Sequence, residues 1–183
     1  RRIYMIDNDI ELLGEGRFLR LLRRGRWEFV ERPNLQGVVG IVAVTGEGKL
    51  LLVEQFRQAI NASVIELPAG LAGDVPGEEM EELATAASRE LLEETGYAAD
   101  RMTFLCEGPP SAGVTNEVIT LFLAEGLTKV ADGGGDETED IHIHEVPLDG
   151  IHQWLEDRRR EGKMLDLRIY TGLYFLLAQA GRR

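Results

Sequence analysis

The length, composition and charge of the chain exclude several classes of protein. Its 183 residues are enough for one domain with a sizeable core, and its hydrophobic content is ordinary for a globular protein. A formal net charge of -12, without a long basic run, argues against nucleic-acid binding. No apolar run approaches the roughly 20 residues that span a bilayer, so we expect no membrane partner. The single cysteine, Cys106, cannot form an internal disulfide, which favours a reducing, cytoplasmic location.

The first part of the chain reads as a series of strands. Apolar residues among charged ones predict strands at Ile3–Met5 and Arg17–Arg24, and a period-two pattern predicts another at Arg26–Arg32. Residues 1–36 are therefore expected to form a small N-terminal β segment. Within this segment, Trp27 is either a residue that stacks on a nucleobase or a core aromatic on one face of a sheet.

The middle of the chain predicts a buried sheet followed by an acidic helix. Gly37–Thr45 is a continuous β-branched run, typical of a central strand that is buried on both faces. A hairpin turn at Gly46–Lys49 leads into a strand at Leu50–Phe56, and another strand is predicted at Val64–Leu67. We expect a helix at about Glu79–Thr95.

The last part of the chain alternates further strands and helices. Strands are predicted at residues 102–107, Glu117–Ala124 and Ile141–Val146. Helices are predicted at Leu148–Glu161 and at about Asp166–Ala180. Many strands with two or three helices indicate an α/β class over residues 37–183, with a mixed sheet packed between helices.

Three carboxylates crowd one face of the acidic helix. Glu90, Glu93 and Glu94 stand at i, i+3 and i+4, which places them within one arc of the helix surface. A hard divalent cation relieves their repulsion, because Mg²⁺ takes oxygen ligands from carboxylates and from substrate phosphates. Arg89 lies one turn before Glu93 and can pair with it. The alternative is a solvated acidic face, which Glu93 and Glu94 alone would favour.

The longer string around these residues favours the metal site. Glu81 is followed by seven residues and then by residues 89–97 (RELLEETGY), in which Gly96 suits the end of a helix. This string resembles the Nudix box, GX5EX7REUXEEXGU with U apolar, a loop-helix-loop that binds Mg²⁺ against a diphosphate. The chain departs from the box before Glu81. Gly70 is the candidate for the box glycine, and the loop of residues 71–80 would then be about five residues longer than in the box.

The resemblance extends to the ADP-ribose and nucleotide-sugar diphosphatase branch of the Nudix superfamily. Four segments carry it: residues 26–32 (RWEFVER), 53–57 (VEQFR), 65–70 (IELPAG) and 136–144 (DETEDIHIH). It implies the Nudix fold, an α/β/α sandwich, and a homodimer. It also implies hydrolysis of the diphosphate linkage of a nucleoside diphosphate-X substrate, most directly ADP-ribose or an ADP-sugar. The products would be a nucleoside monophosphate and a sugar phosphate.

The same resemblance suggests roles for individual residues. Two or more Mg²⁺ ions, or Mn²⁺, would be held by Glu90, Glu94, Glu93 and the backbone carbonyl of Ala69. Arg89, Glu93 and Glu94 would belong to the catalytic set. In relatives the general base often comes from a loop after the box, where this chain has Glu117. That residue is equally well read as a solvated glutamate at the start of a strand.

Other candidate site residues also have an interpretation without a function in catalysis or binding. Glu137, Glu139 and Asp140 are a second source for the base, although a solvated acidic loop accounts for them better. Arg57 follows a strand and would suit a phosphate or ribose through its fork of donors, or it is an ordinary surface arginine. Glu54, in the same segment, is a further candidate for substrate binding.

The sequence resembles both the ADP-ribose and the GDP-mannose groups of this branch, and it does not select the substrate. In the ADP-ribose group a proline often follows the second glycine of the box, here Gly96, by sixteen residues, but this chain has Ala112 there. Residues 112–117 (AGVTNE) and 133–135 (GGG) also resemble the GDP-mannose group, so GDP-mannose or another nucleotide sugar is the alternative substrate. A catalytically silent binding module is a different class of function. Such proteins usually lose box carboxylates, which are all present here.

Overall fold

The computed structural model describes residues 9–75, 77, 79–135 and 140–180. Its strands, numbered in chain order, are β1 (Ile10–Glu15), β2 (Arg20–Arg24), β3 (Trp27–Glu31), β4 (Gly37–Ala43), β5 (Lys49–Arg57), β6 (Ala62–Glu66), β7 (Ala69–Ala72), β8 (Tyr97–Ala98), β9 (Arg101–Gly108), β10 (Ile119–Glu125), β11 (Thr128–Lys129), β12 (His142–Pro147) and β13 (Met164–Leu165). The helices are α1 (Leu83–Thr95), α2 (Ile151–Arg160) and α3 (Leu167–Ala180). The strand predicted at Ile3–Met5 lies outside the described residues.

Two four-stranded sheets form the centre of the molecule. One has the order β7-β4-β10-β9, in which β4 and β10 are parallel and the other pairs are antiparallel. The other has the order β12-β5-β6-β13, in which β6 and β13 are parallel. Strands β1, β2 and β3 form a separate antiparallel sheet, which we call the N-terminal sheet.

Helices cover both faces of the central sheets. Ile41 of β4 is buried in one cluster with Leu91 of α1. The next residue, Val42, belongs to a second cluster with Ile169 of α3 and Leu155 of α2. A strand buried on both faces needs apolar side chains at successive positions, which explains the uninterrupted run in β4. The predicted α/β/α sandwich with a mixed sheet is therefore confirmed.

The central strands follow the prediction closely, but several other elements do not. The strands predicted from Gly37 to Val146 agree with the structure to within two residues at each end. The strand predicted at Arg17–Arg24 begins only at Arg20. Strands β1 and β7 and the two-residue strands β8, β11 and β13 were not predicted. Strand β7 is rich in Ala and Gly, which have low strand propensity, and it forms because its backbone pairs with β4.

Helix α1 begins at Leu83 and not near Glu79 as predicted, and Glu81 is the reason. The Glu81 carboxylate is buried and accepts a hydrogen bond from the Gly73 amide and two from Arg89. These contacts hold Glu81 itself and Gly73 against Arg89 of the helix. The helix ends as predicted, because Gly96 has a φ of 74° and its amide bonds to the Leu92 carbonyl.

The N-terminal sheet leaves much of its apolar surface exposed. In this region the large hydrophobic residues that face solvent are Ile10, Leu12, Phe18, Leu19, Leu21 and Trp27. Trp27 is 65% exposed, so it is not a core aromatic within one chain. Among the described residues, no helix is long and apolar enough to cross a membrane.

Candidate active site

A cavity of about 1060 Å³ opens where β7, α1 and the loop after β9 meet. One wall, the helix wall, carries Gly70 of β7 and Glu90 and Glu93 of α1. The second, the loop wall, is formed by residues 107–110 and Glu117. Arginines and carboxylates from β5, β6 and the start of α3 form the third wall.

Gly70 lies directly against the carboxylate of Glu90. A Cβ atom on Gly70 would stand 1.9 Å from the carboxyl carbon of Glu90, so no other residue fits there without movement. Glu90 Oε1 also accepts a hydrogen bond from the Leu71 amide at 3.3 Å. The longer loop of residues 71–80 therefore still brings Gly70 to the helix, as expected if Gly70 is the box glycine.

Glu94 is fixed by the same strand. It is 2% exposed, and its Oε2 accepts a hydrogen bond from the Ala69 amide at 3.0 Å. The peptide of Ala69, whose carbonyl was predicted as a metal ligand, is therefore next to the Glu94 carboxylate. Glu90 and Glu94 lie one helical turn apart, and both contact the backbone of β7.

Arg89 connects the acidic side chains of the helix wall. Its Nη1 donates to Glu90 at 2.9 Å and to Glu93 at 3.1 Å, which confirms the predicted contact with Glu93. Its Nε and Nη2 donate to Glu81, and Nη2 also donates to the Leu71 carbonyl at 2.9 Å. These hydrogen bonds lower the pKa of the Glu81 carboxyl below its usual range. Arg89 thus holds one face of α1 against β7.

Burial disfavours the charged form of one carboxyl on the helix wall, that of Glu90. Loss of hydration raises the pKa of Glu90 to about 7, although Arg89 acts in the opposite direction. A divalent cation would compensate for the lost hydration, and carboxylates with a backbone carbonyl are the oxygen donors that Mg²⁺ and Mn²⁺ accept. Within the described residues, no three Asp, Glu, His or Cys side chains converge to enclose a metal ion. Glu90 and Glu93 instead share Nη1 of Arg89.

The third wall is a chain of ion pairs centred on Glu66. This buried carboxylate accepts hydrogen bonds at 2.7 Å from Arg57 and at 3.2 Å from Arg168. Arg168 also pairs with Asp166 at 2.6 Å. Burial raises the pKa of Asp166, but the hydrogen bonds from Arg168 outweigh it and bring the pKa below its usual range. Arg57 was predicted, whereas Glu66, Asp166 and Arg168 were missed.

The loop wall carries Glu117. Its Oε1 accepts a hydrogen bond from Arg32 Nε at 2.8 Å, and both side chains line the cavity. Glu117 lies in the loop two residues before β10, and its side chain lines the cavity. Glu90, Glu93, Arg89, Arg57 and Glu117 therefore share one cavity, although they come from three separate parts of the chain.

Comparison with protein families shows to which family the chain belongs. A family model described as the NUDIX domain matches residues 34–166, which is most of the chain and includes all three walls apart from Arg32, Leu167, Arg168 and Thr171. The chain belongs to the Nudix family.

The Nudix relatives include two named pyrophosphatases. The chain is 37% identical over 132 residues to an ADP-ribose pyrophosphatase of Bacillus subtilis (strain 168), covering 72% of this chain and 67% of that protein. It is 33% identical over 138 residues to a GDP-mannose pyrophosphatase of Yersinia pestis (strain Pestoides F), covering 70% and 67%. It is also 37% identical over 133 residues to a methanol dehydrogenase activator of Bacillus methanolicus, covering 72% and 68%.

A solved structure shows the same fold. The crystal structure of an ADP compounds hydrolase superposes with a TM-score of 0.73, covering 94% of this chain and 91% of that one. The sequence identity is 22%, so this likeness concerns the Nudix fold alone.

Two predicted substrate residues lie apart from the cavity. The described lining includes neither Trp27 nor Glu54. Glu54 accepts hydrogen bonds from Lys163 at 2.5 Å and contacts His144 at 3.0 Å, beside a smaller depression of about 380 Å³. Asp140 lines this depression too, while Glu137 and Glu139 lie outside the described residues. Trp27 stands on the N-terminal sheet with the Arg26 guanidinium 5.3 Å from its ring centroid.

The missed residues of the third wall gave only a weak local signal. Asp166 accepts a hydrogen bond from the Arg168 backbone amide at 2.7 Å, as an N-cap does at the start of a helix. An Asp followed by an Arg at a helix start is common, and nothing in that pattern points to Glu66, about a hundred residues earlier.

Proposed function

We propose that this Nudix protein is a metal-dependent diphosphatase that cleaves nucleoside diphosphate-X compounds. The products would be a nucleoside monophosphate and the phosphate of X. One observation carries the proposal: Glu90 and Glu93 of α1, Arg57 and Glu117 all border one cavity. Diphosphate hydrolysis needs neutralised phosphate charge, an activated water and a held leaving group, and these residue types match those needs.

ADP-ribose or an ADP-sugar is the first-choice substrate. The 37% identity to an ADP-ribose pyrophosphatase supports it, together with the segments 53–57 and 65–70, which contribute Arg57 and Glu66 to the third wall. GDP-mannose or a related nucleotide sugar is the second candidate. The relative described as a GDP-mannose pyrophosphatase and the AGVTNE segment favour it.

The metal ions would be held by Glu90, Glu93, Glu94 and the carbonyl of Ala69. When bound, two or more Mg²⁺ or Mn²⁺ ions supply neutralisation of phosphate charge and activation of water. Arg89 orients two of these carboxylates through its Nη1. The cavity is lined by more carboxylates than arginines, so the protein alone would repel a diphosphate, and cations would reverse that field.

Arg57 and Glu117 have distinct proposed tasks. Arg57 would hold a phosphate or ribose oxygen, since one edge of its guanidinium is fixed by Glu66, which accepts a hydrogen bond from Nε and forms an ion pair with Nη2. Glu117 would act as general base and accept the proton of the attacking water onto its carboxylate. Glu137, Glu139 and Asp140 are the second source of a base, and Asp140 borders a different depression.

Residues 1–36 would serve dimerisation and base recognition in the cytoplasmic enzyme. The exposed apolar side chains of the N-terminal sheet support a homodimer, because a symmetric contact would cover them. Trp27 would stack on the nucleobase across or beside that contact. Sedimentation at micromolar concentration tests the assembly, and a monomer would contradict it.

The reaction is tested with a panel of nucleoside diphosphate compounds analysed by mass spectrometry. We expect AMP and ribose phosphate from ADP-ribose in the presence of Mg²⁺, and no turnover in EDTA. Faster turnover of GDP-mannose would select the second candidate. Full activity in EDTA, or binding of the whole panel without products, would overturn the proposed function and would favour a silent binding module in the second case.

A further inference from the structure

The N-terminal sheet is joined to the loop that carries Glu117. The Val30 amide of β3 donates a hydrogen bond to the Val114 carbonyl at 2.8 Å. The Asn116 amide donates in turn to the Val30 carbonyl at 3.4 Å, which completes a short parallel bridge between Val30 and Thr115. The loop therefore has one flank attached to a sheet that is separate from the central sheets.

Side chains extend this junction into the cavity. The side-chain amide of Asn116 donates from Nδ2 to the Glu31 carboxylate at 2.9 Å. Arg32, the next residue, donates from Nε to Glu117 at 2.8 Å, and both partners line the main cavity. The end of β3 thus holds the loop at two successive positions, and the second of them is the candidate base.

We propose that Arg32 is a positioning residue, which holds the Glu117 carboxylate at the cavity and so couples the N-terminal sheet to turnover. This inference rests on the proposed function, in which Glu117 is the general base. A base must stay within hydrogen-bond reach of the water whose proton it takes. A glutamate in a loop has several rotamers, and a bond to the planar Arg fork selects among them before substrate arrives.

The exposure of the pair separates this role from a structural one. The side chains of Arg32 and Glu117 are 39% and 25% exposed. Ion pairs at such sites contribute little to the stability of a fold, because water and salt screen them. Loss of Arg32 should therefore change turnover much more than it changes the melting temperature.

A double-mutant cycle tests the coupling in the full-length chain. The variants are Arg32→Ala, Arg32→Lys, Glu117→Gln and the double variant Arg32→Ala/Glu117→Gln. We expect Arg32→Ala to lower kcat by about tenfold, with KM little changed, since contacting pairs show couplings of that order. Arg32→Lys should recover part of the loss, because it keeps the charge but not the fork. In the Glu117→Gln background, Arg32→Ala should have no further effect on kcat.

The matched control is Arg101→Ala. Arg101 pairs with Glu125 at 2.8 Å, outside residues 1–36 and outside the cavity lining, so this variant removes an arginine and an exposed ion pair away from the loop. Its kcat should equal that of the wild type. If Arg32→Ala fails to fold in a thermal melt, Arg32→Lys in both backgrounds provides the same comparison.

The outcomes separate this inference from the proposed function. An unchanged kcat in Arg32→Ala, or the same fold-loss in both backgrounds, would overturn the positioning role while Glu117 keeps its own. A KM increase that persists in the Glu117→Gln background would mean that Arg32 contacts substrate directly, and would also overturn it. An unchanged kcat in Glu117→Gln would instead remove the base assignment, and with it the role of Arg32.

Discussion

The helix wall and the loop wall of the cavity are built in different ways. At the helix wall, Glu90 and the buried Glu94 one turn from it each accept a hydrogen bond from a backbone amide of β7. Arg89 donates to Glu81, Glu90 and Glu93 at once. On the loop wall, the described ion pair of Glu117 is a single contact with Arg32. The helix wall is therefore a cross-linked unit, whereas the loop wall depends on a partner from a distant part of the chain.

This difference suggests a division of labour. A rigid, buried set of carboxylates suits the binding of cations, whose geometry must be kept. A base on a loop suits a step in which a proton is accepted and later released, since loops can adjust as substrate enters. Variants on the helix wall should therefore weaken metal binding as well as turnover, whereas variants on the loop wall should lower turnover alone.

The largest effect is expected on the helix wall from Glu94→Gln. The change keeps the shape of the side chain and removes its charge, so the hydrogen bond from the Ala69 amide can persist while the proposed metal ligand weakens. We expect kcat to fall by orders of magnitude with little loss of thermal stability. Glu156→Gln on the exposed side of α2 is the control and should behave as wild type. Wild-type activity in Glu94→Gln would remove this residue from the metal site.

A smaller but still large loss is expected on the loop wall from Glu117→Gln. Turnover should fall by about 10²–10⁴ with an almost unchanged KM, as expected for loss of a general base. Bound Mg²⁺, measured by calorimetry, should be unaffected, in contrast to Glu94→Gln. An equal loss of metal binding in both variants would erase the proposed distinction between the walls.

Gly70→Ala tests how closely the helix wall is packed. The new Cβ would meet the Glu90 carboxylate, so either the strand or the carboxylate must move. A misplacement of about 1 Å at a catalytic site can lower the rate by about 10². Overpacking lowers the free energy of unfolding by about 1–3 kcal/mol. Kinetics and thermal melting should both show the change. The control is Gly46→Ala, where an added Cβ has open space; equal effects in the two variants would contradict the packing argument.

The smallest effect is expected from Trp27→Ala, because Trp27 does not line the cavity within one chain. Stacking on a base is worth roughly 1–3 kcal/mol, so KM should rise about 5- to 150-fold while kcat changes less. Trp27→Phe should keep most of the affinity. A diphosphate substrate without a base should be hydrolysed as well by Trp27→Ala as by wild type. Wild-type kinetics on the best nucleotide substrate would show that Trp27 does not bind the base.

Local spacing in the sequence was enough for the helix wall. The positions of Glu90, Glu93 and Glu94 on one face follow from 3.6 residues per turn, and so does the contact between Arg89 and Glu93. Gly96 ends the helix for a conformational reason that is also local. The buried strands were predictable because a run of apolar side chains has few other stable environments.

Only the tertiary structure decided the other two walls. The Arg57–Glu66–Arg168 chain joins β5, β6 and α3, and the pairing of Arg32 with Glu117 spans 85 positions. The ion pair of Glu54 with Lys163, outside the cavity lining, likewise depends on a distant residue. Such contacts follow from sheet order and from the paths of loops, and no periodicity within a segment encodes them. The sequence by itself therefore determined the carboxylate helix and the fold class, while long-range pairing selected the arginines that face it.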